Sequence, residues 1–219
     1  MWLDEGAEPT RRMRRLQRRG MEIRWADPSL RSYKKFWPYL VTERVDAPLV
    51  IADDDVIYPD SWLEGLLAAH SAHPSDVIAY RAHRIVLDDR GEFRAYSDWV
   101  SCDADSASYS HFATGVSGVL YPRDAQRALI EAGDAFRTYA PTADDVWLHR
   151  TTVLAGIRTR QALPGQRHWP FIPGSQATGL NAVNVVGGAN DTQLSASHTT
   201  LTRWRIRKDI TAGSVVPPV

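Results

Sequence analysis

Three consecutive carboxylates follow a short apolar segment, and their spacing suits a site for a metal and a phosphate. Residues 49–52 lead directly into Asp53, Asp54 and Asp55. Side chains alternate along extended backbone, so Asp53 and Asp55 share one face and Asp54 points to the other. Two like charges on one face repel each other unless a cation lies between them. Because one or two carboxylates and substrate phosphates commonly hold a hard divalent cation, the triplet predicts such a site.

The elements around this triplet predict that it lies at the edge of a sheet. Residues 49–52 are apolar and rich in β-branched residues, which is typical of a buried strand. Pro59 ends the strand, and Ser61 with Glu64 has the spacing of a capping box at the start of a helix. We therefore expect the acids at the carboxyl end of a strand, where open α/β sheets bind ligands.

A second pair of acids, Asp144 and Asp145, stands at the start of another predicted helix. The apolar residues 146–148 follow the pair, and Gly156 is the expected end of the helix. Acids in a first turn are favoured by the helix dipole, so capping is one explanation of the pair. The other explanation is that one acid faces a cleft and acts as a general base on an acceptor hydroxyl.

Together, the segment 53–59 and the pair Asp144 and Asp145 resemble bacterial GT-A-fold glycosyltransferases of the family 2 type. In that class an Asp-x-Asp motif holds Mn²⁺ or Mg²⁺ against the diphosphate of a nucleotide sugar. A later acidic pair often supplies the base in inverting members. The resemblance covers about residues 2–194 and implies an α/β fold, with a GT-A-like (Rossmann-like) mixed sheet flanked by helices.

The resemblance also implies a domain organisation. We expect a single domain over residues 1–194 and a basic C-terminal tail over residues 195–219. In the family a strand and a helix normally come first and carry part of the nucleotide pocket. Residues 1–3 are too short to be a convincing first strand, so we expect an N-terminally shortened domain that lacks this first unit.

Roles for individual residues follow from the same resemblance. Asp145 is the expected base, with Asp144 as its neighbour. His168 is expected to join the first acid motif as a third metal ligand, and His198 is the alternative; neutral imidazole suits Mn²⁺ better than Mg²⁺. The nucleotide is expected to meet polar side chains near the first acid motif and upstream of it: Asp27, Lys35 and Asp54. The sugar is expected to contact the backbone of two glycines and one basic side chain: Gly115, Gly118 and Arg81.

Three further local patterns carry structural predictions. Residues 77–81 predict the next strand, and residues 93–99 predict the return strand of a hairpin after a turn at residues 88–91. Residues 190–193 suit either a lid over a diphosphate or a flexible tail. From about Ser195 onward the sequence shows no core signal, apart from basic residues near its end.

Composition limits the classes of partner and compartment. The 219 residues include 26 basic and 26 acidic side chains, so the net charge of +0 gives no general attraction to nucleic acid. The single cysteine, Cys102, excludes an internal disulfide framework. No apolar run of about 18 residues and no signal segment is present, so we expect a cytoplasmic protein. Basic stretches at residues 11–19 and 203–208 would suit peripheral contact with the inner face of a membrane.

The expected function is a metal-dependent glycosyltransferase that moves a sugar from a nucleoside-diphosphate sugar to a hydroxyl of a glycan or another acceptor. We expect inversion of configuration at the anomeric carbon, although a retaining route stays open if no base stands opposite the leaving group. The expected process is surface polysaccharide synthesis. Two other classes stay open. One is a different metal-phosphate enzyme, such as a nucleotidyltransferase or a phosphohydrolase, since these also use paired acids. The other is a non-catalytic remnant that binds a partner.

Overall fold

The chain is mixed α/β, with helices and several small sheets. The computed structural model describes residues 1–175 and 188–213. Contacts between residues divide the chain into two compact units, Met1–Arg44 and Val45–Val219. The boundary between units therefore lies at Arg44, whereas the sequence led us to expect one domain ending at residue 194.

The first unit begins with a strand, a helix and a second strand: β1 (Trp2–Asp4), α1 (Arg11–Gln17) and β2 (Arg24–Ala26). The two strands pair in parallel. Thr10 caps α1, because its hydroxyl accepts a hydrogen bond of 3.2 Å from the Met13 N–H. The first residues, which looked too short for a strand, form one because backbone pairing with β2 stabilises them.

The rest of the first unit is helical. A 3₁₀ helix (Pro28–Lys35) leads into α2 (Trp37–Thr42). Asp27 caps the 3₁₀ helix, since its carboxylate accepts a hydrogen bond of 2.8 Å from the Ser29 N–H. Lys35 lies in the last turn of the same helix. The core of this unit is formed by Leu30, Tyr33, Phe36 and Leu40.

The described part of the second unit contains seven strands and six α helices. Its strands are β3 (Leu49–Ile51), β4 (Val77–Ala79), β5 (Ala82–Arg84), β6 (Val100–Ser101), β7 (His111–Ala113), β8 (Val119–Tyr121) and β9 (Thr159–Gln161). Its helices are α3 (Trp62–Ala72), α4 (Arg123–Ala132), α5 (Phe136–Tyr139), α6 (Asp144–Leu154), α7 (Ala189–Ser197) and α8 (Thr200–Gly213). The strand predicted before the acids is confirmed as β3.

Four of these strands form the main sheet, in the order β3-β8-β4-β9. Strand β8 is antiparallel to both β3 and β4, whereas β4 and β9 are parallel. The carboxyl ends of β3, β4 and β9 therefore lie at the same edge as the amino end of β8. This edge carries the segments after Ile51, Ala79 and Gln161 and the segment before Val119. Four separate stretches of chain thus meet there.

The second sheet, in the order β6-β5-β7, replaces the predicted hairpin. The predicted return strand at residues 93–99 is wrong: it is reduced to one bridge, between Leu87 and Phe93, and a short 3₁₀ helix. The rings of Tyr96 and Trp99 instead pack on Phe112, with centroids 5.9 and 5.3 Å away. Burial of these rings outweighs the alternating pattern that favoured a strand.

Helix α3 forms without the capping box that its sequence suggests. Ser61 occupies the cap position, but its side chain makes no capping hydrogen bond. Leu66 is fully buried in the core with Ile78 and Leu120, whereas Leu63 and Leu67 are exposed. The helix therefore contacts the sheet along a narrower stripe than its apolar residues predict.

Helix α6 is the central element of the second unit, because residues all around it are buried. It packs against α4, α7 and α8. The absence of a core signal after Ser195 did not anticipate α8, which buries Thr202 and Ile206 completely. Two buried positions one helical turn apart are too few to stand out in a sequence. Among the helices in the described ranges, none has the length and apolar content needed to cross a membrane.

Two histidines form a buried pair between α6 and α8. Nδ1 of His149 lies 3.5 Å from Nε2 of His198, and His149 donates from Nε2 to the Tyr109 carbonyl at 2.9 Å. Thr202 lies 3.2 Å from the other ring nitrogen of His198. Burial lowers the pKa of His149 to about 4 and lowers that of His198 as well. Both rings are therefore neutral at pH 7.

We expect stability to fall as the pH is lowered below about 6.5. The unfolded chain regains ordinary histidine pKa values and binds protons that the folded chain does not bind between pH 6.5 and 4. His149 alone should reduce the free energy of unfolding by about 2 kcal/mol between pH 7 and pH 5. Urea unfolding at both pH values measures this change. His149→Gln should show a weaker pH dependence than the parent, and a parent stability that is equal at both pH values would contradict the argument.

Candidate functional site

The first acid motif lies in the turn that follows β3. Asp53 and Asp55 are half-buried and Asp54 is exposed, and the backbone at residues 54 and 55 is a turn rather than the extended chain that the alternation of side chains assumed. Backbone hydrogen bonds fix the turn on both sides. The Asp53 N–H donates to the hydroxyl of Tyr58 at 3.0 Å, and the Ile172 N–H donates to the Asp55 carbonyl at 2.7 Å. The two carboxylates therefore project from a backbone that is held in place.

The hydrogen bonds of the first acid motif continue to residues 115–118, which we call the glycine turn. They precede β8 and so lie at the same sheet edge as the acids. The hydroxyl of Tyr58 donates to the Val116 carbonyl at 3.1 Å. The indole N–H of Trp62 donates to the Ser117 carbonyl at 2.9 Å. Tyr58 thus joins the first acid motif to the glycine turn, and Trp62 contacts the same turn from α3.

The second acid motif contacts the same turn. The Gly115 N–H donates to both carboxylate oxygens of Asp145, at 3.1 and 3.3 Å. Asp144, its neighbour, is only 7% exposed. Neither acid caps α6 in the usual way, because the cap position is occupied by Ala143 and no side-chain capping bond forms there. Both acid motifs are therefore connected to adjacent residues, one to Gly115 and the other to Val116.

Two tyrosines surround the Asp145 carboxylate. Burial raises the pKa of Tyr121 well above its ordinary value, and the charges of Asp145 and Asp144 raise it further. Burial likewise raises the pKa of Tyr96, with Asp145 as the next cause. Both phenols are neutral at physiological pH and can donate hydrogen bonds. The hydrogen bond from Gly115 holds the Asp145 carboxylate in place.

Arg81 supplies positive charge beside the glycine turn. It follows β4, and its guanidinium donates to the Thr114 hydroxyl at 2.9 Å. Its Nε is buried and has no hydrogen-bond partner within the described part of the chain. Burial lowers the pKa of the nearby His83 to about 4, and the charges of Arg81 and His168 contribute to this. A guanidinium in this position can hold an anionic group next to Gly115.

The segment after β9 closes this edge of the sheet. The Arg167 N–H donates to the Tyr80 carbonyl at 3.0 Å, and the Ile57 N–H donates to the Pro170 carbonyl at 2.9 Å. Between these bonds, the Trp169 ring lies 4.9 Å from that of Tyr80. The segment therefore runs alongside the first acid motif and is fixed to it, although its prolines and glycines suggested irregular chain.

The predicted metal site concerns Asp53, Asp55 and His168. Within residues 1–175 and 188–213, no three His, Cys, Asp or Glu side chains form a group that could hold a metal ion. His168 is exposed and does not join Asp53 and Asp55 in such a group. Asp53 and Asp55 are nevertheless two positions apart in one turn, and a pair of carboxylates can hold a hard cation that takes its other ligands from water and substrate phosphates. The alternative ligand, His198, is wrong because it is buried in the core against His149.

The predicted nucleotide contacts are divided between the two units. Asp27 and Lys35 belong to the first unit, and Asp54 belongs to the second. Asp27 already caps the 3₁₀ helix of its own unit. A role for these three residues near a nucleotide stays a prediction.

Helix α7 determines where α6 begins. The side-chain carbonyl of Gln193 accepts hydrogen bonds from the backbone N–H groups of Thr142 and Ala143, at 2.9 and 3.1 Å. The carboxylate of Asp191 accepts one from the Tyr96 N–H at 2.7 Å. The expected lid or tail at residues 190–193 is wrong, because these side chains satisfy backbone donors of the core. The earlier part of that Gly- and Asn-rich stretch lies outside the described residues.

Gly118 has a structural role that the sequence did not suggest. Its φ is +94°, which favours glycine, and a Cβ there would lie 2.4 Å from the Trp62 ring. The glycine lets the indole lie against the backbone and reach the Ser117 carbonyl. A contact of Gly118 with a sugar stays a prediction.

The residues missed by sequence reasoning are aromatic: Tyr58, Tyr96, Tyr121 and Trp169. They come from four separate segments, so no local spacing connects them. The available signal was the high number of tryptophans, eight in 219 residues. That number indicates aromatic packing without saying where it occurs.

Comparisons of the chain with models of known protein families, with curated proteins and with solved structures find no match.

Gly118→Ala should destabilise the protein more than Gly133→Ala does. Both positions have positive φ, but a Cβ at Gly133 meets nothing within 4 Å. Gly133→Ala therefore measures the cost of backbone strain alone. At Gly118 the clash with Trp62 should lower the free energy of unfolding by about 1–3 kcal/mol more. Urea unfolding of the two variants gives the difference. Equal losses of unfolding free energy would mean that the indole moves aside without cost.

Proposed function

We propose that this chain is a metal-dependent glycosyltransferase whose second unit is GT-A-like. It would transfer a sugar from a nucleoside-diphosphate sugar to an acceptor hydroxyl. One observation carries the proposal: both acid motifs are connected to the glycine turn, through Tyr58 to Val116 and through Asp145 to Gly115. The mixed sheet supports it further, because three strands end, and a fourth begins, at the edge where these residues lie.

In this proposal Asp53 and Asp55 bind the donor through a divalent cation. Each of the two carboxylates would supply hard oxygen ligands. Mn²⁺ or Mg²⁺, when bound, neutralises the charge that develops on the leaving diphosphate. Arg81, which contacts Thr114 beside the glycine turn, orients an anionic group of the donor through its guanidinium. The diphosphate of the donor would supply further oxygen ligands to this cation.

Asp145 acts as the general base. The Gly115 N–H holds its carboxylate in place, and the charged form of that carboxylate is the form that accepts a proton. The acceptor hydroxyl gives its proton to this carboxylate as its oxygen attacks the anomeric carbon. Attack from the side opposite the leaving diphosphate inverts the configuration at that carbon. The neutral hydroxyl of Tyr96 can donate a hydrogen bond that orients the acceptor.

Asp55→Ala should abolish Mn²⁺-dependent binding of nucleoside diphosphates and leave the fold intact, because it removes one of two repelling charges. Calorimetric titration of the full chain with UDP and with GDP, each with and without Mn²⁺, measures the effect. Asp60→Ala is the matched control, since Asp60 is an exposed acid a few residues further along. It should bind like the parent.

Other results of this titration would lead to different conclusions. Mn²⁺ dependence that survives in Asp55→Ala would mean that the metal lies elsewhere. Failure of the parent chain to bind any nucleoside diphosphate would favour a non-catalytic remnant that binds a partner. Phosphate release from simple phosphoesters without sugar transfer would favour another metal-phosphate enzyme.

Asp145→Asn should keep the affinity for the donor and lower the rate of transfer about 10²-fold or more, because the amide cannot accept the proton. The amide oxygen can still accept the hydrogen bond from Gly115, so the turn should keep its geometry. Asp124→Asn is the control, because Asp124 is an exposed acid in the first turn of α4. Release of nucleoside diphosphate in the presence of acceptor sugars gives the rate. Equal rates for Asp145→Asn and the parent would assign the base to another residue, first to Asp144.

A further inference from the structure

A pocket lies at the last turn of α6, at the opposite end of this helix from Asp144 and Asp145. Its volume is about 250 Å³, and it is lined by Tyr109, Arg158, Trp204, Arg205, Lys208 and Asp209. Three of these side chains are basic and one is acidic, so the lining is positively charged. Helix α6 has 11 residues, and its acids lie at its first turn. The pocket is thus about 16 Å from the acids, too far to form part of the same diphosphate site.

Internal contacts fix the wall of this pocket. Asp209 accepts hydrogen bonds of 3.2 and 3.4 Å from Arg158 and one of 2.8 Å from the Tyr109 N–H. Arg205 donates to the last two carbonyls of α6, at 2.6 and 2.9 Å. The Tyr109 ring lies 4.3 Å from the Arg158 guanidinium and 5.9 Å from that of Arg205. Both guanidinium groups are therefore held in position. Arg158 is paired with Asp209, so Arg205 and Lys208 supply the net positive charge of the lining.

The outer side of the pocket presents two groups that are accessible to a ligand. Trp204 is 52% exposed, and the Lys208 ammonium lies 4.5 Å from the centre of its ring. Lys208 is also exposed. An ammonium group binds a phosphate or a carboxylate, and an indole provides a flat apolar surface for a ring. Their proximity suits a ligand in which an anionic group is attached to a ring.

We propose that this pocket binds an anionic saccharide, a sugar that carries a phosphate or a carboxylate. The charge of the lining selects the anion, and Trp204 selects the sugar ring. A membrane surface is less suitable, because only Leu201 and Trp204 are large exposed apolar side chains within described α8. The proposal rests on this pocket alone and does not require the transferase activity.

Calorimetric titration of the full chain tests the proposal directly. The probes are glucose 6-phosphate, glucuronate, inorganic phosphate and glucose, without divalent cations and in the Asp55→Ala background to silence the acid site. Both anionic sugars should bind more tightly than inorganic phosphate, and glucose should not bind. Glucose 6-phosphate and glucuronate also show which anionic group the pocket prefers.

Two surface variants assign the binding to this pocket. Lys208→Gln and Trp204→Ala should each weaken the binding of the preferred anionic sugar about tenfold, because one removes the charge and the other the ring surface. Arg207→Gln is the matched control, since Arg207 is an exposed base on the same helix outside the pocket. It should bind like the parent.

Three outcomes would overturn the proposal. The first is binding that is equal in Lys208→Gln, Trp204→Ala and the parent. The second is glucose binding as tightly as glucose 6-phosphate. The third is the lack of any saccharide binding, and a parallel experiment then tests the alternative partner. If phosphatidylglycerol vesicles bind the parent but not Trp204→Ala, α8 contacts a membrane surface instead.

Discussion

The hydrogen bond between the Gly115 N–H and the Asp145 carboxylate connects the sheet edge to the central helix. A carboxylate in the first turn of a largely buried helix needs a donor, and the helix dipole alone does not provide one. The Gly115 N–H of the glycine turn is that donor. The Val116 carbonyl of the same turn accepts a hydrogen bond from the Tyr58 hydroxyl. The position of one acid motif therefore fixes the position of the other, because both depend on the conformation of two adjacent residues.

Helix α6 requires partners at both ends, since a buried helix leaves backbone groups without internal hydrogen bonds. Gln193 accepts hydrogen bonds from backbone N–H groups just before the first turn of α6, and Arg205 donates hydrogen bonds to carbonyls of the last turn of α6. These partners come from α7 and α8, the last described elements of the chain. The C-terminal helices therefore position the acids without containing any of them. Helix α8 also forms one wall of the pocket at the last turn of α6.

The strand before the first acid motif and the start of α6 were predictable, because each is specified by adjacent residues. These are an apolar run before Asp53 and an apolar run after Asp145. The partners that fix these elements were not predictable. Gln193 contacts Thr142 across 51 positions, and its type alone does not distinguish it from a surface glutamine. Tyr96 lies in a stretch whose alternation favoured a strand, yet its ring packs on Phe112. Local pattern specifies elements, whereas long-range side-chain contacts specify how they meet.

The acidic pair had two explanations from sequence, helix capping and catalysis, and the contacts distinguish between the two side chains. Asp144 is 7% exposed, so water and a substrate have little access to it. Asp145 is half-buried and turns its carboxylate toward the glycine turn rather than toward a capping position of its own helix. If the start of the helix needed only negative charge, any exposed acid in its first turn would be sufficient. A carboxylate held by a backbone donor, close to two neutral phenols, matches the requirements of a positioned base more closely.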